Sequence, residues 1–234
     1  EDLFKEHPQR EEGPICMLPL PLKNSLVRYQ SCCGKGICIG CIYAVKIAGD
    51  NRCLCPFCRT PAPKSGVEVV EMMKKRAAAG DAIAIYSLGG LYHQGGYGLR
   101  QNTAKAMELW LRAGELGDAT AYTNIGNSYC AGTGVERDEN KAKYYYGLAA
   151  MGGSAAARHN LGNWERRAGN FDRAMKHWMI SAGAGLDESL EIIRHLFMNG
   201  HATKDDFEKA LRAHKEAKDE EKSDQRETAA KFDA

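Results

Sequence analysis

The stretch that decides the fold is residues 118–153, with the sequence DATAYTNIGNSYCAGTGVERDENKAKYYYGLAAMGG. It contains two runs with apolar residues at helical spacing, and glycines separate and end them. The pair Ile125-Gly126 lies 37 residues after Leu88-Gly89 and 36 residues before Leu161-Gly162. A period in this range is typical of an α-solenoid in which each unit is one helical hairpin.

Small and aromatic residues repeat in the same steps as the Leu-Gly and Ile-Gly pairs. They are Ala106, Ala142, Ala174 and Ala210, then Trp110, Tyr146, Trp178 and His214, with Gly117, Gly153 and Gly185 closing three units. We expect Gly and Ala to let the two helices of a unit approach, and Trp or Tyr to fill the gap between them.

The ends of the array differ from its middle. We expect residues 64–80 to be a linker and capping helix, and 81–217 to hold about four units, the third shortened and the fourth degenerate. Residues 218–234 are highly charged and are interpreted as a frayed helix or tail. No proline follows Pro63, which favours long helices over this whole part of the chain.

The repeats resemble the Sel-one-like repeat, a relative of the tetratricopeptide repeat. The matching residues are Leu88-Gly89, Tyr92, Lys105-Ala106, Trp110, Ile125-Gly126, Tyr129, Gly132-Thr133-Gly134-Val135, Asp138, Lys141-Ala142, Tyr145, Ala149-Ala150 and Gly153. The resemblance implies a right-handed superhelix of antiparallel helix pairs that binds other proteins on its concave face.

Cysteines are concentrated near the start of the chain. Eight of the nine lie between Cys16 and Cys58, and only Cys130 lies outside; Cys38/Cys41 and Cys55/Cys58 form two pairs with two residues between their members. A disulfide scaffold spreads its cysteines or fills a very short chain, whereas such pairs are typical of metal binding in a reducing compartment. Zinc suits them because two cysteines two residues apart can reach one tetrahedral ion from a single turn.

Residues 13–63 resemble a RING-type zinc finger, preceded by a flexible segment, 1–12. The matching residues are Pro14-Ile15-Cys16, Cys32-Cys33-Gly34-Lys35-Gly36-Ile37-Cys38, Cys41-Ile42 and Cys55-Pro56-Phe57-Cys58-Arg59. The predicted fold class is therefore a small zinc-stabilised α+β RING finger followed by an all-α solenoid of helix-turn-helix repeats. The resemblance implies two zinc ions with interleaved ligands: Cys16, Cys38 and Cys41 for one, and Cys32, Cys33, Cys55 and Cys58 for the other.

Two positions depart from the RING pattern. Gly13 stands where the first ligand is expected, so the first site is one ligand short; water, His7, Glu12 and Cys53 are the candidates for completing it. Lys35 stands where a histidine is usual, and adjacent Cys32 and Cys33 replace that ligand. Cys53 is surplus to the pattern and is an extra candidate ligand at either site.

The resemblance also implies a ubiquitin ligase that holds a ubiquitin-conjugating enzyme and its ubiquitin in a reactive pose, without covalent chemistry of its own. The predicted contacts with the conjugating enzyme are Ile15, Ile42, Pro56 and Arg59. Each also has a structural interpretation: the isoleucines pack a small core, the proline shapes a turn, and the arginine is a solvated charge. The repeats are expected to hold a protein substrate or adaptor.

Composition limits the remaining functions. Hydrophobic residues make up 44% and the net charge is +2 with both signs mixed, which argues against a nucleic-acid surface. No apolar run is long enough for a membrane span, and a cytoplasmic or nuclear protein is expected. Because the chain does not begin with Met, it is compatible with a fragment or processed form that has lost a targeting segment. The second predicted function is a non-catalytic interaction scaffold with a degenerate RING.

Overall fold

The computed structural model describes residues 2–4, 10–22, 26–48 and 54–232. After a short 3-10 helix, Asp2–Phe4, the elements in chain order are β1 (Val27–Gln30), β2 (Lys35–Cys38), α1 (Ile39–Ile47), α2 (Gly66–Ala78), α3 (Ala82–Gln94), α4 (Thr103–Glu115), α5 (Ala119–Ala131), α6 (Glu139–Met151), α7 (Ala155–Arg167), α8 (Phe171–Gly183), α9 (Asp187–Met198), α10 (Lys204–Glu221) and α11 (Asp224–Phe232). None of the helices in these described ranges is long and apolar enough to cross a bilayer.

The chain divides into two compact units. The first unit comprises residues 10–116 and 220–234, and the second comprises residues 1–9 and 117–219. The cysteine-rich segment lies in the first unit together with helices α2 to α4. The second unit contains helices α5 to α9 and most of α10.

The cysteine-rich segment is a small α+β structure. Strands β1 and β2 pair antiparallel, with Val27 opposite Cys38 and Gln30 opposite Lys35. The turn between them closes with hydrogen bonds from the backbone N–H groups of Cys33 and Gly34 to the Gln30 carbonyl, and Gly34 takes a left-handed φ of 73°. Helix α1 begins directly after β2.

This hairpin packs against Arg76 of helix α2 and against Asp81, the N-cap residue of α3, in the same unit. The Tyr29 hydroxyl donates to Asp81 over 2.8 Å, and Arg76 pairs with Asp81 over 3.3 Å. A Cβ on Gly34 would lie only 2.3 Å from the Arg76 side chain, so this ion pair would have to move to admit a larger residue. Burial, followed by the neighbouring Asp81 carboxylate, raises the pKa of Tyr29.

Most of the charged C-terminal residues, for which a frayed helix or tail is expected, are helical in the structure, in the end of α10 and in α11. Helix α11 packs against α1 within the first unit. The approach is close at Gly40, where a Cβ would lie 2.8 Å from the backbone nitrogen of Arg226. The sequence did not indicate this contact because only two alanines, Ala229 and Ala230, give the helix an apolar surface at its centre.

The second unit is built from antiparallel helix pairs, which confirms the solenoid repeat. The N-termini of α5, α6 and α7 are capped by Asp118, Asp138 and Ser154, whose side chains accept hydrogen bonds from backbone N–H groups. The shortened third unit keeps both of its helices, because the turn 168–170 joins α7 to α8 directly. In the degenerate fourth unit, His214 on α10 lies 3.0 Å from Asp187 on α9.

Glycine faces an aromatic ring in each of three helix pairs. A Cβ on Gly126 would lie 2.7 Å from the Tyr146 ring, and one on Gly162 would lie 2.5 Å from the Trp178 ring. Trp110 meets Gly89 in the same way within the first unit. The interpretation that glycine permits the close approach and the aromatic side chain fills the space is therefore supported by the contacts.

We expect Gly126→Ala to destabilise the second unit, because the new methyl group enters the space of the Tyr146 ring; overpacking of this kind costs about 1–3 kcal/mol. The matched control is Gly147→Ala on α6, where an added Cβ meets nothing within 4 Å. That change should stabilise the helix by about 0.5–1 kcal/mol. Thermal unfolding followed by circular dichroism measures both, and equal stability of the two variants would contradict the packing described.

Candidate metal centre

Two turns in the cysteine-rich segment have the same backbone geometry. In the first, the Met17 N–H donates to the Gly13 carbonyl and the Gly13 N–H donates to the Leu18 carbonyl. In the second, the Arg59 N–H donates to the Cys55 carbonyl and the Cys55 N–H donates to the Thr60 carbonyl. Both also take a left-handed residue at the fifth position, Met17 and Arg59, with φ of 54° and 62°.

Each turn is also closed by an isolated antiparallel β-bridge, between Glu12 and Pro19 in the first turn and between Leu54 and Pro61 in the second. The correspondence aligns Gly13 with Cys55, Cys16 with Cys58 and Ile15 with Phe57. Gly13 therefore lies where the second turn has a cysteine.

Seven cysteines converge into two clusters within the first unit. One contains Cys32, Cys33, Cys55 and Cys58, and the other contains Cys16, Cys38 and Cys41; in each, the sulfur atoms lie within 4.8 Å of one another. These are the two interleaved sets that the RING resemblance implies. The structure thus brings together residues up to 26 positions apart in sequence.

The four-cysteine cluster fits a tetrahedral zinc ion. Cys33 and Cys55 sulfurs are 3.9 Å apart, and Cys32 and Cys58 sulfurs are 3.4 Å apart. Zn–S bonds of about 2.3 Å place the sulfurs of a tetrahedral site about 3.8 Å apart. The hairpin turn supplies two of these sulfurs and the second turn supplies the other two, so one ion would link both.

The three-cysteine cluster offers three of the four ligands. Cys16 and Cys38 sulfurs are 3.9 Å apart, again the spacing of a tetrahedral edge. Cys38 is the last residue of β2 and Cys41 lies in the first turn of α1. A Cβ added at Gly13 would lie 2.9 Å from the Cys16 sulfur, so a side chain at this position faces the cluster and the Cys16 side chain would have to shift to admit it.

Arg226 of helix α11 lies against the three-cysteine cluster. Its Nη2 donates to the Cys16 sulfur over 3.2 Å, and its Nη1 donates to the carbonyl oxygens of Pro19 and Glu221 over 2.9 and 2.8 Å. The residue is only 8% exposed. It was not predicted from the sequence because it is 210 residues from Cys16, and nothing in the pattern around it signals a role.

The thiols of each cluster affect one another's ionisation. Burial, and after it the hydrogen bond and charge of the neighbouring Cys38 thiol, raise the pKa of Cys41 to about 12. Burial opposes the ionisation of Cys16 as well, but hydrogen bonds from the Leu18 backbone and Arg226 lower its pKa overall. The hydrogen bond with Thr60 lowers the pKa of Cys58 to about 6. Thiols this close oppose each other's charge, and a divalent cation between them removes that opposition.

The predicted contacts with a conjugating enzyme are only partly brought together. Ile42 on α1 and Pro56 in the second turn line one groove of about 730 Å³. Val45, Val69 and Met73 add to its apolar wall.

Ile15 and Arg59 lie outside this groove. Both are exposed, Ile15 in the first turn and Arg59 at the end of the second. Glu12 is exposed, and the structure does not place its carboxylate in the three-cysteine cluster. His7 and Cys53, which the sequence also offers as a fourth ligand of that cluster, lie outside the described residues.

Comparison with known proteins identifies the repeats. The Sel1 repeat family matches residues 82–118 and 119–154, so the chain carries Sel1 repeats. The chain is 27% identical to a Sel1 repeat protein from Oxalobacter formigenes, with a TM-score of 0.57 over 65% of this chain and 64% of that one. It also shares its fold with c5321, a protective antigen of uropathogenic Escherichia coli with an SLR fold, at a TM-score of 0.56, covering 80% of this chain and 38% of that one, with 21% identity.

Two curated relatives match over part of the chain. One is the ERAD-associated E3 ubiquitin-protein ligase component HRD3B of Arabidopsis thaliana, 30% identical over 96 residues, which are 41% of this chain and 15% of that protein. The other is a putative sel1-like repeat-containing protein L21 of Acanthamoeba polyphaga mimivirus, 32% identical over 68 residues, 29% of this chain and 13% of that protein. The chain therefore spans only a small part of either relative.

We expect Gly13→Cys to strengthen metal binding at the three-cysteine cluster, because the new side chain points at the Cys16 sulfur and supplies a fourth thiolate. With Co²⁺ in place of zinc, the visible bands should shift to those of a second four-thiolate site, and a chelator should remove the metal more slowly. Gly13→Ala is the control, since it adds the same Cβ without a thiol. Identical spectra and release rates for the two variants would contradict the assignment.

Arg226→Leu should weaken the same cluster selectively. The change removes the N–H groups that bind the Cys16 sulfur and two carbonyl oxygens, and partners that hydrogen-bond metal ligands typically contribute about 10–100-fold to metal affinity. We expect faster metal loss from the three-cysteine cluster, with the four-cysteine cluster unchanged. Equal loss from both clusters would indicate general unfolding of the finger.

Proposed function

We propose that this Sel1-repeat protein is a zinc-dependent RING-type ubiquitin ligase, in which the cysteine-rich segment recruits a charged ubiquitin-conjugating enzyme and the repeats hold a protein substrate or adaptor. The observation that carries the proposal is the convergence of seven cysteines into two interleaved clusters with α1 beginning at one of them. Cys32, Cys33, Cys55 and Cys58 would hold one zinc ion, and Cys16, Cys38 and Cys41 the second.

Zinc would supply the rigidity that this segment lacks. A segment of about 50 residues buries little core, and structural zinc contributes an apparent ~10–16 kcal/mol in small fingers. The ions take no part in bond making. The chain's contribution to the reaction is positioning: apolar side chains and an arginine at the surface hold the conjugating enzyme and its ubiquitin in one orientation.

The groove supports a docking role for α1. Ile42 and Pro56 reach it from different ends of the segment, and their apolar surfaces face one cavity. Arg59 is exposed at the end of the second turn, where its planar fork of donors suits hydrogen bonds to a protein backbone or a carboxylate. Ile15 and Phe57 are exposed at equivalent points of the two turns, 41% and 45%.

The repeats support the second half of the proposal. Sel1 repeats indicate protein partners in general. The relative HRD3B is by its name a component of an E3 ubiquitin-protein ligase, and this similarity supports a ubiquitin-related role for the chain. We further propose a cytoplasmic or nuclear location, because paired free thiols persist in a reducing compartment.

One observation favours a second candidate, a non-catalytic scaffold. Gly13 stands at a ligand position and Arg226 lies against the remaining three cysteines, so the loop that carries Ile15 is held by fewer bonds than in a complete site. A chain that contains zinc but captures no conjugating enzyme in a pull-down would support the scaffold.

The test of ligase activity is reconstitution with ubiquitin, its activating enzyme, a panel of conjugating enzymes and ATP. We expect the wild-type chain to form ubiquitin conjugates. Arg59→Ala and Ile15→Ala should each reduce the rate about tenfold, the effect of losing about 1.4 kcal/mol of binding in the reactive complex.

Two matched substitutions control for nonspecific effects of these changes. Arg100→Ala removes another exposed arginine of the first unit, and Ile47→Ala removes another exposed isoleucine, 66% exposed on α1. Both should leave the rate unchanged, and zinc content should be equal in all five proteins. Equal conjugate formation by wild type, Arg59→Ala and Ile15→Ala would refute the proposed contacts.

A further inference from the structure

The second unit holds the chain's own N-terminal segment on one face of its helices. Residues Asp2–Phe4 form a turn of 3-10 helix against α6 and α8. Leu3 packs on the core cluster that includes Ala142, Tyr146 and Leu161. The sequence predicts a flexible segment over residues 1–12, whereas the structure places Asp2–Phe4 against these helices.

The contact with Leu3 is partly to the backbone. Arg158 on α7 donates from Nη1 to the Leu3 carbonyl oxygen over 2.6 Å. A carbonyl oxygen is present in every residue, so this contact can hold any segment with the same backbone path. Charged donors to carbonyl groups are the stronger class of hydrogen bond.

Phe4 is recognised by its ring. The ring centre lies 4.7 Å from that of His177, at an interplanar angle of 41°. Two cations stand over the same ring, Arg173 at 5.5 Å and Lys176 at 5.6 Å from its centre. Cation–π contacts of this kind are attractive at exposed sites and become stronger where water is excluded.

The face beneath the segment also contains buried polar side chains. Arg158, Glu165 and His177 are 1%, 2% and 0% exposed, although most of the other buried positions of α7 and α8 are Ala, Gly, Leu or Trp. Glu165 also accepts from Asn170 and pairs with Lys143 and Arg173. Neither ring nitrogen of His177 has a hydrogen-bond partner among the residues described.

We propose that this face of α6, α7 and α8 is a binding site for a linear segment of a partner protein that carries an aliphatic residue followed by an aromatic one, and that Leu3-Phe4 of the same chain occupies it in cis. The inference rests on the protein-binding role of the repeats and not on ligase activity. It identifies the substrate or adaptor class by its chemistry: an aliphatic side chain on the Ala142–Leu161 cluster, a carbonyl at Arg158 and an aromatic ring between His177 and two cations.

Because Leu3-Phe4 occupies the site in cis, it determines how tightly a partner segment must bind in order to displace it. A segment tethered to its site competes at an effective concentration of the order of mM. A partner in the micromolar range therefore binds only when its segment fits better than Leu3-Phe4 or when the cis segment is removed from the site.

The experiment uses the full chain and a fluorescent synthetic peptide with the sequence of residues 1–9, with binding followed by fluorescence anisotropy. We expect the double variant Leu3→Ala/Phe4→Ala, whose cis segment no longer competes, to bind the peptide at least about tenfold more tightly than the wild-type chain. A peptide carrying the same two alanines should not bind either protein.

Charge variants in the double-variant background test the site itself. Arg173→Ala/Lys176→Ala should weaken peptide binding about tenfold, the effect of two cation–π contacts. The control Arg166→Ala/Arg167→Ala removes two exposed arginines from α7 and should leave binding unchanged. Circular dichroism melting checks the fold of each protein; if Leu3→Ala/Phe4→Ala unfolds, Phe4→Leu replaces it.

Equal peptide affinity for wild-type and cis-substituted chains, absence of binding to both, or an equal effect of the two pairs of charge substitutions would overturn the proposal. None of these outcomes depends on zinc or ubiquitin. Conversely, if the chain forms no ubiquitin conjugates but binds the peptide as expected, the ligase proposal is refuted and the peptide-binding site stands.

Discussion

The cysteine-rich segment depends on bringing distant thiols to common points, because it is too small to be held by burial alone. A core of about 50 residues supplies few kcal/mol, and the buried cluster here consists mainly of Ile37 and the cysteines themselves. The two equivalent turns, the hairpin and the start of α1 are each positioned so that their sulfurs meet.

Packing against helices supplements the thiols. The hairpin turn is held by Tyr29, Arg76 and Asp81 on one side, and α11 closes on α1 at Gly40 on another. Arg226 is the link between this packing and the candidate metal centre, since the same guanidinium binds two carbonyl oxygens and the Cys16 sulfur. A positive charge next to a cluster of thiolates is favourable whether or not the fourth ligand is present.

The repeats obey a different constraint. Glycine opposite Trp or Tyr fixes the distance between the helices in three of the pairs, and one aromatic side chain therefore determines the spacing of each of these three. Once that spacing is set, the outer positions of the helices are free to differ. The polar face with Arg158, Glu165 and His177 is a separate feature, because these side chains are almost fully buried but take no part in the glycine–aromatic contacts that space the helices.

The sequence by itself determined the helical repeat, its turn positions and the shortened third unit, because all of these are expressed as spacing. The division of the cysteines into two sets was implied by the resemblance to a RING finger. The same resemblance singled out Gly13 as the position where that family has its first ligand. Only the tertiary structure decided that Arg226 lies at the three-cysteine cluster, that α11 packs on α1 and that Leu3 and Phe4 dock on α6 to α8. These contacts join residues far apart in the chain through a few side chains. They leave no periodic pattern in the sequence, because each is made once and depends on the folded surfaces meeting.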